Sequence, residues 1–485
     1  MRKRFILFMF GLLVNLPIVS VHAEDAILKV VGGGGWPGST GNVVPVYLKT
    51  EDYMWGCRFN LLFDTDILTV TDVGRGNWRD VYSFVWSVID SGVYVSMSTY
   101  AEAGLGFVAN IILDVASDAP LGEYDLTLDN FNVPGGTDSV VVENGTFSIS
   151  HAVLTAECRG GVPAGLERRM PVELKSDQNV VECEFNLGFD TDVLTVADVL
   201  ATDYAQWEFS WSPLASGMRL VRTAGSNISG PGTGHICEVV LAVAEGAEYE
   251  DYDVVLDSIV LTDTLGNSLS AAGVAGVFSV VHGLFFIVNG GGCPGSSGNK
   301  VEVHLENDVS IYTFILDLSF DMDRLSLINA TRTERSQCCA GLNWYTIDER
   351  IRLAAWDCCG PVAGNVAKTA QDIWVGTGSV GDLLFEISGD APLGEYSLNI
   401  SNAILLDPLG NSISVTSESG AFTVVRQGDV NGDGNVNVAD IVLVINIILI
   451  TYQPTLAELS VADCNDDGIV NILDTVCIVN IIFGD

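Results

Sequence analysis

Phe59-Asn60-Leu61-Leu62-Phe63-Asp64-Thr65-Asp66-Ile67-Leu68-Thr69-Val70 is the stretch on which the fold turns. Phe59, Leu61 and Phe63 alternate with other residues as a pleated strand requires. Asp64-Thr65-Asp66 then breaks the pattern, and Leu68-Thr69-Val70 resumes it. The same strand, turn and strand recur at Phe185-Asn186-Leu187-Gly188-Phe189-Asp190-Thr191-Asp192-Val193-Leu194-Thr195-Val196. A worn copy follows at Leu316-Asp317-Leu318-Ser319-Phe320-Asp321-Met322-Asp323-Arg324-Leu325-Ser326-Leu327. Upstream, Gly34-Gly35-Trp36-Pro37-Gly38-Ser39 matches Gly291-Gly292-Cys293-Pro294-Gly295-Ser296; downstream, Ala119-Pro120-Leu121-Gly122-Glu123-Tyr124 matches Ala391-Pro392-Leu393-Gly394-Glu395-Tyr396. Periods of about 126 and 131 residues are domain-sized, so the repeats are tandem domains and not solenoid turns.

Each copy carries short alternating strands such as Val43–Leu48, and each closes on one: Phe147–Ser150, Phe278–Val281, Phe422–Val425. No long segment of helical period precedes residue 427. Many short strands with turn signals predict antiparallel β-sandwiches over 24–150, 151–281 and 282–426. Pro45 and Pro171 suit an edge strand or a bulge. The pairs Asp64/Asp66, Asp190/Asp192 and Asp321/Asp323 could be drawn as acid/base pairs for glycoside hydrolysis. Their repetition two apart at a strand end favours turns, in which Asp bonds its own backbone. There is no G-x-S-x-G elbow, phosphate loop or H-E-x-x-H, and the five histidines are scattered. The expectation is a protein that is not an enzyme.

Residues 427–485 are built differently. Asp429-Val430-Asn431-Gly432-Asp433-Gly434-Asn435-Val436-Asn437-Val438-Ala439-Asp440 is followed 34 positions later by Asp463-Cys464-Asn465-Asp466-Asp467-Gly468-Ile469-Val470-Asn471-Ile472-Leu473-Asp474. Oxygen side chains stand at positions 1, 3, 5, 9 and 12 of each loop, with glycine at 6, the pattern a hard cation such as Ca²⁺ requires. The candidate ligands are Asp429, Asn431, Asp433, Asn435, Asn437 and Asp440 for one ion. For a second they are Asp463, Asn465, Asp467, Ile469, Asn471 and Asp474. Three carboxylates per loop repel without a cation, so the unit is expected to fold with two Ca²⁺ ions. The apolar segments Ile441–Leu449 and Thr475–Phe483 are read as helices, too short to cross a bilayer.

The paired D-x-N-x-D-G-x-[VI]-N-x-x-D loops resemble the type I dockerin module of cellulosome-like systems. That resemblance implies that the loop Asp and Asn side chains bind Ca²⁺ and that the helices dock onto a cohesin of a partner protein. Positions 10 and 11 would then carry partner choice. Here they are Val438-Ala439 and Ile472-Leu473 instead of the common Ser-Thr, which implies a more apolar contact. The sandwiches resemble cohesins, nine-stranded jelly rolls, in the Gly-rich loop, the Val-x-Val-x-Leu strand and the Phe-x-Leu-x-Phe-Asp strand and turn. By resemblance the chain is a scaffold or adaptor whose cohesins receive dockerin-bearing proteins, including glycoside hydrolases, in polysaccharide catabolism.

Met1-Arg2-Lys3-Arg4 and the apolar Phe5–Val21, ending at Val21-His22-Ala23, predict a secretory signal over 1–23 and an extracellular protein. With 62 acidic and 22 basic residues, the net charge of −40 argues against nucleic acid or an anionic membrane as partner. Eleven cysteines in an exported chain predict disulfides. Cys338-Cys339 and Cys358-Cys359 flank a hairpin whose base two bridges would close, while Cys477 is expected as a buried thiol. Vicinal pairs lack the spacing that wraps a zinc ion. Trp36, Trp55, Trp86, Trp207, Trp211, Trp344 and Trp356 are expected mainly in cores, with sugar stacking the alternative. Two further readings are self-assembly, since receptor and plug share one chain, and a carbohydrate-binding surface protein. The short junction Val425-Arg426-Gln427-Gly428 is expected to keep the helical unit from folding back freely onto the sandwiches.

Overall fold

The computed structural model describes residues 26–50, 54–76, 81–101, 104–134, 139–157, 159–202, 207–224, 231–337, 339, 341–347, 350–356, 373–465 and 468–484. The expected signal, Asp467, Cys338, Cys358 and Cys359 lie outside them. The chain is mainly β: three tandem sandwiches followed by a small all-α unit.

The first sandwich contains β1 (Ala26–Val30), β2 (Gly33–Gly35), β3 (Asn42–Thr50), β4 (Met54–Leu62), β5 (Leu68–Arg75), β6 (Val81–Ile89), β7 (Gly92–Ala101), β8 (Gly104–Val115), β9 (Gly122–Asn132), β10 (Val140–Glu143) and β11 (Gly145–Ile149). Among the described residues one sheet runs β10-β1-β3-β8-β5 and the other β2-β11-β9-β4-β7-β6. Pairing is antiparallel except where the chain ends meet: β10 lies parallel to β1, and β11 parallel to β2. Opening and closing strands thus each cross from one sheet to the other side by side. Phe59, Leu61, Leu68 and Phe147 are buried between the sheets, as their alternation predicts.

The second and third sandwiches repeat this order. The aspartate pairs are turns: the N–H of Asp66, Asp192 and Asp323 donates to Oδ1 of Asp64, Asp190 and Asp321 at 3.0, 2.9 and 3.1 Å. Tyr124, Tyr252 and Tyr396 each donate their hydroxyl to the carbonyl four residues upstream. Pro45 and Pro171 lie in interior strands, each just before the bulge of its ladder.

One position joins all the units. A Cβ at Gly34 would come 2.9 Å from Val153 of the second sandwich, one at Gly160 2.5 Å from Thr416 of the third, and one at Gly291 2.7 Å from Ala457 of the helical unit. The three glycines hold the same place, opposite Ser148, Ser279 and Thr423. Polar pairs fasten the joints. Lys29 meets Asp253 at 2.9 Å and Tyr47 donates to Asp251 across the first; Arg168 pairs with Glu306 and Tyr249 donates to Asp308 at 2.6 Å across the second. The short junction leaves the helical unit in a fixed seat against the third sandwich, the module it directly follows.

The helical unit consists of α1 (Val438–Ile448), α2 (Leu456–Ala462) and α3 (Ile472–Phe483). Val430, Val444, Val461 and Ile478 form its small core together with Cys293 of the third sandwich. No helix among the described residues is long and apolar enough to cross a membrane.

Candidate functional site

The two loops enter α1 and α3 by the same device. Asn437 and Asn471 are N-caps in extended conformation, accepting from Ala439 N–H and Leu473 N–H at 2.8 Å each. Asp440 and Asp474, three residues on, complete capping boxes. Both are fully buried. Asp440 accepts from the N–H of Asn431 at 3.1 Å and of Asn437 at 2.8 Å; Asp474 accepts from Asn465 at 3.2 Å and Asn471 at 2.7 Å. The last residue of each loop is thus tied to both its beginning and its middle. Asp429 and Asp463 accept from Gly434 and Gly468 N–H at 2.9 and 2.7 Å. Gly434 has φ 86° and Gly468 φ 83°, the left-handed backbone that glycine tolerates best.

Asn431, Asp433, Asn435 and Asn465 are exposed, and the Asn435 backbone N–H holds Asp433 below the usual carboxylate range. The amides of Asn437 and Asn471 donate to the carbonyls of Asn435 and Ile469 at 3.2 and 2.9 Å. This places the position-7 carbonyl next to the position-9 side chain in each loop, and the Ile469 side chain itself is exposed. Asp429 supplies the test of fit for a cation. It is buried, yet its Oδ1 has no hydrogen-bond partner. A buried carboxylate oxygen without a donor is costly unless a cation approaches it, and the surrounding set is the all-oxygen set that Ca²⁺ takes.

The residues at positions 10 and 11 are on the surface: Val438, Ile472 and Leu473 are more than half exposed, and Ala439 is exposed too. The structure extends this patch beyond the sequence reading. Val442, Ile445 and Leu449 continue it along α1, as do Val476 and Phe483 on α3. The signal was present in helices apolar on all sides, since a two-helix core covers only one face of each.

Cys477 is not a buried thiol. It is bridged to Cys464, loop position 2, which ties α3 to the second loop. In the third sandwich, strands 341–347 and 350–356 form the expected hairpin, and Cys339 at its base is disulfide-bonded. The tryptophans divide. Trp207 is fully buried and Trp86 and Trp344 pack on cores, whereas Trp55 is 63% and Trp211 40% exposed, in different sandwiches.

The family model for the dockerin type I domain matches residues 427–482. Among solved structures the chain is similar to a non-cellulosomal cohesin from the hyperthermophilic archaeon Archaeoglobus fulgidus, at 24% identity over 27% of this chain and 91% of that one, TM-score 0.24. It is also similar to CaCohA2 from Clostridium acetobutylicum, at 26% identity over 27% and 94%, TM-score 0.24. A third is the sixth cohesin of scaffoldin B from Acetivibrio cellulolyticus, solved with a Cel5 dockerin, at 18% identity over 29% and 98%, TM-score 0.24. No curated protein matches.

Proposed function

We propose that this chain is a secreted, non-catalytic adaptor that assembles proteins through calcium-dependent contacts of the cohesin–dockerin kind. The observation that carries the reading is the helical unit: two loops with one hydrogen-bond network, each opening a helix that presents an apolar, solvent-facing patch. Two Ca²⁺ ions would be held by Asp429, Asn431, Asp433, Asn435, Asn437 and Asp440, and by Asp463, Asn465, Asp467, Ile469, Asn471 and Asp474. The ions neutralise the clustered carboxylates and do no chemistry. Val438, Ala439, Ile472 and Leu473 would form the contact with a cohesin-bearing partner. The sandwiches would receive dockerin-bearing proteins, which by the resemblance include enzymes of polysaccharide breakdown.

Size-exclusion chromatography with light scattering on residues 24–485, in calcium and then in chelator, tests the reading. A monomer in both conditions places the partner on another protein, as an adaptor requires. Calcium-dependent oligomers would overturn the adaptor in favour of self-assembly.

A further inference from the structure

Each sandwich bulges at the same point of its second sheet, and the bulge residue takes a positive φ: Asn130 (46°), Ser258 (52°) and Asn402 (50°). Asn60, Asn186 and Asp317 stand beside these bulges, paired with Asp129, Asp257 and Ser401, on the outer face of the sheet. In the first two sandwiches this spot is open. Asn130 and Ser258 are exposed, and Asn60 and Asn186 are partly exposed. In the third it is closed: Asn402 is 2% and Asp317 0% exposed.

The residues that close it are specific. Arg352 grips Asp317 with Nε at 2.6 Å and Nη2 at 2.9 Å, and Arg350 lies 3.5 Å away. The Asn402 amide donates to the same carboxylate. The Asn402 carbonyl oxygen then accepts from Nη2 of Arg75 at 2.6 Å. Arg75 ends β5 of the first sandwich, 327 residues earlier in the chain. The first sandwich thus reaches past the second and lays a guanidinium on the outer sheet face of the third.

The geometry points to an intramolecular latch: Arg75 of the first sandwich, acting through Asn402, covers the Asp317 cluster and occludes that sheet face of the third. A partner for this face would therefore find two places on the chain and not three. That consequence rests on the adaptor reading; the latch itself does not.

Two measurements on the full chain test the latch without any partner. In carbodiimide footprinting, Asp317 of the native protein labels far more slowly than the exposed Asp129 and Asp257. Arg75→Glu sets a carboxylate against the cluster, and Asn402→Ala removes the acceptor. Each is expected to raise Asp317 labelling by about tenfold, the factor that a charge-assisted hydrogen bond is worth. Small-angle X-ray scattering should show a larger radius of gyration in both variants, with unchanged circular dichroism showing that the sandwiches remain folded. Labelling and scattering that match the native protein in either variant would overturn the latch. An opened latch in a chain that binds neither cohesins nor dockerins would leave the latch standing and sink only the adaptor reading.

Discussion

Replacing Glu306 by alanine should unfasten the second sandwich from the third. The Glu306 and Arg168 side chains are only 3% and 8% accessible. Glu306 accepts from Arg168 with one carboxylate oxygen and from the Leu166 N–H with the other. Arg168 also lies over the Phe286 ring at 5.0 Å and faces Glu418 at 3.9 Å. Burial pulls the Arg168 guanidinium below its ordinary pKa and pushes the Glu418 carboxyl up, so both charges depend on partners. Breaking a buried pair on one side costs about 3–5 kcal/mol, because a charge is left desolvated. Glu418 offsets part of that, so about 3 kcal/mol is expected. For a domain of this size that corresponds to roughly 10 °C in Tm. Differential scanning calorimetry on Glu306→Ala, Arg168→Met and the double variant gives the cycle. Glu306→Ala should lose most, and the double variant should recover part of that loss, because the guanidinium is no longer stranded while Glu418 still loses its Arg168 partner. A Glu306→Ala transition within a degree of native, or a double variant as poor as the single, would refute the reasoning.

Asp440→Ala leaves the part-buried N–H groups of Asn431 and Asn437 without their acceptor and removes a proposed calcium ligand. It should destabilise the helical unit by about 2–4 kcal/mol even in chelator and abolish one calcium equivalent by isothermal titration calorimetry. Cys464→Ser opens a bridge spanning 13 residues. It should lower the stability of that unit by about 3 kcal/mol, read as a lower urea midpoint under oxidising conditions. Burial raises the Asp251 carboxyl at the first joint to about 6 from 3.8. The folded state therefore holds that proton more tightly, and the favourable contribution fades as pH rises from about 4 to 6. Asp251→Asn should gain up to about 3 kcal/mol at pH 7 and nothing at pH 3.5, measured by urea unfolding at both. Gly291→Val drives a side chain into Ala457, and tryptic digestion should then release the helical unit faster than from the native chain.

Much of this was legible because the signals were local. Asp64-Thr65-Asp66 is a turn whatever surrounds it, and a loop of alternating oxygens around Gly434 or Gly468 needs no tertiary partner to be recognised. What escaped depends on neighbours far along the chain. Gly34 and Gly291 read as loop glycines, and only the packing of the next unit shows why a Cβ is excluded there and at Gly160. Arg168 carries no local signal, and it is half of a buried pair that exists only once two sandwiches meet. The helix Leu456–Ala462 did carry a signal, the capping box Thr455 to Glu458, but seven residues are too few for periodicity to mark. Cys477 lies on an apolar helix, and nothing in its own segment points to Cys464.

The most direct test immobilises the chain from residue 24 and passes cohesin modules and dockerin-bearing proteins over it by surface plasmon resonance, in calcium and in chelator. A cohesin should be captured only in calcium, and Asp440→Ala with Asp474→Ala should abolish capture while dockerin binding to the sandwiches persists. Capture indifferent to calcium and to both substitutions, or no capture of either class, would contradict a calcium-dependent adaptor.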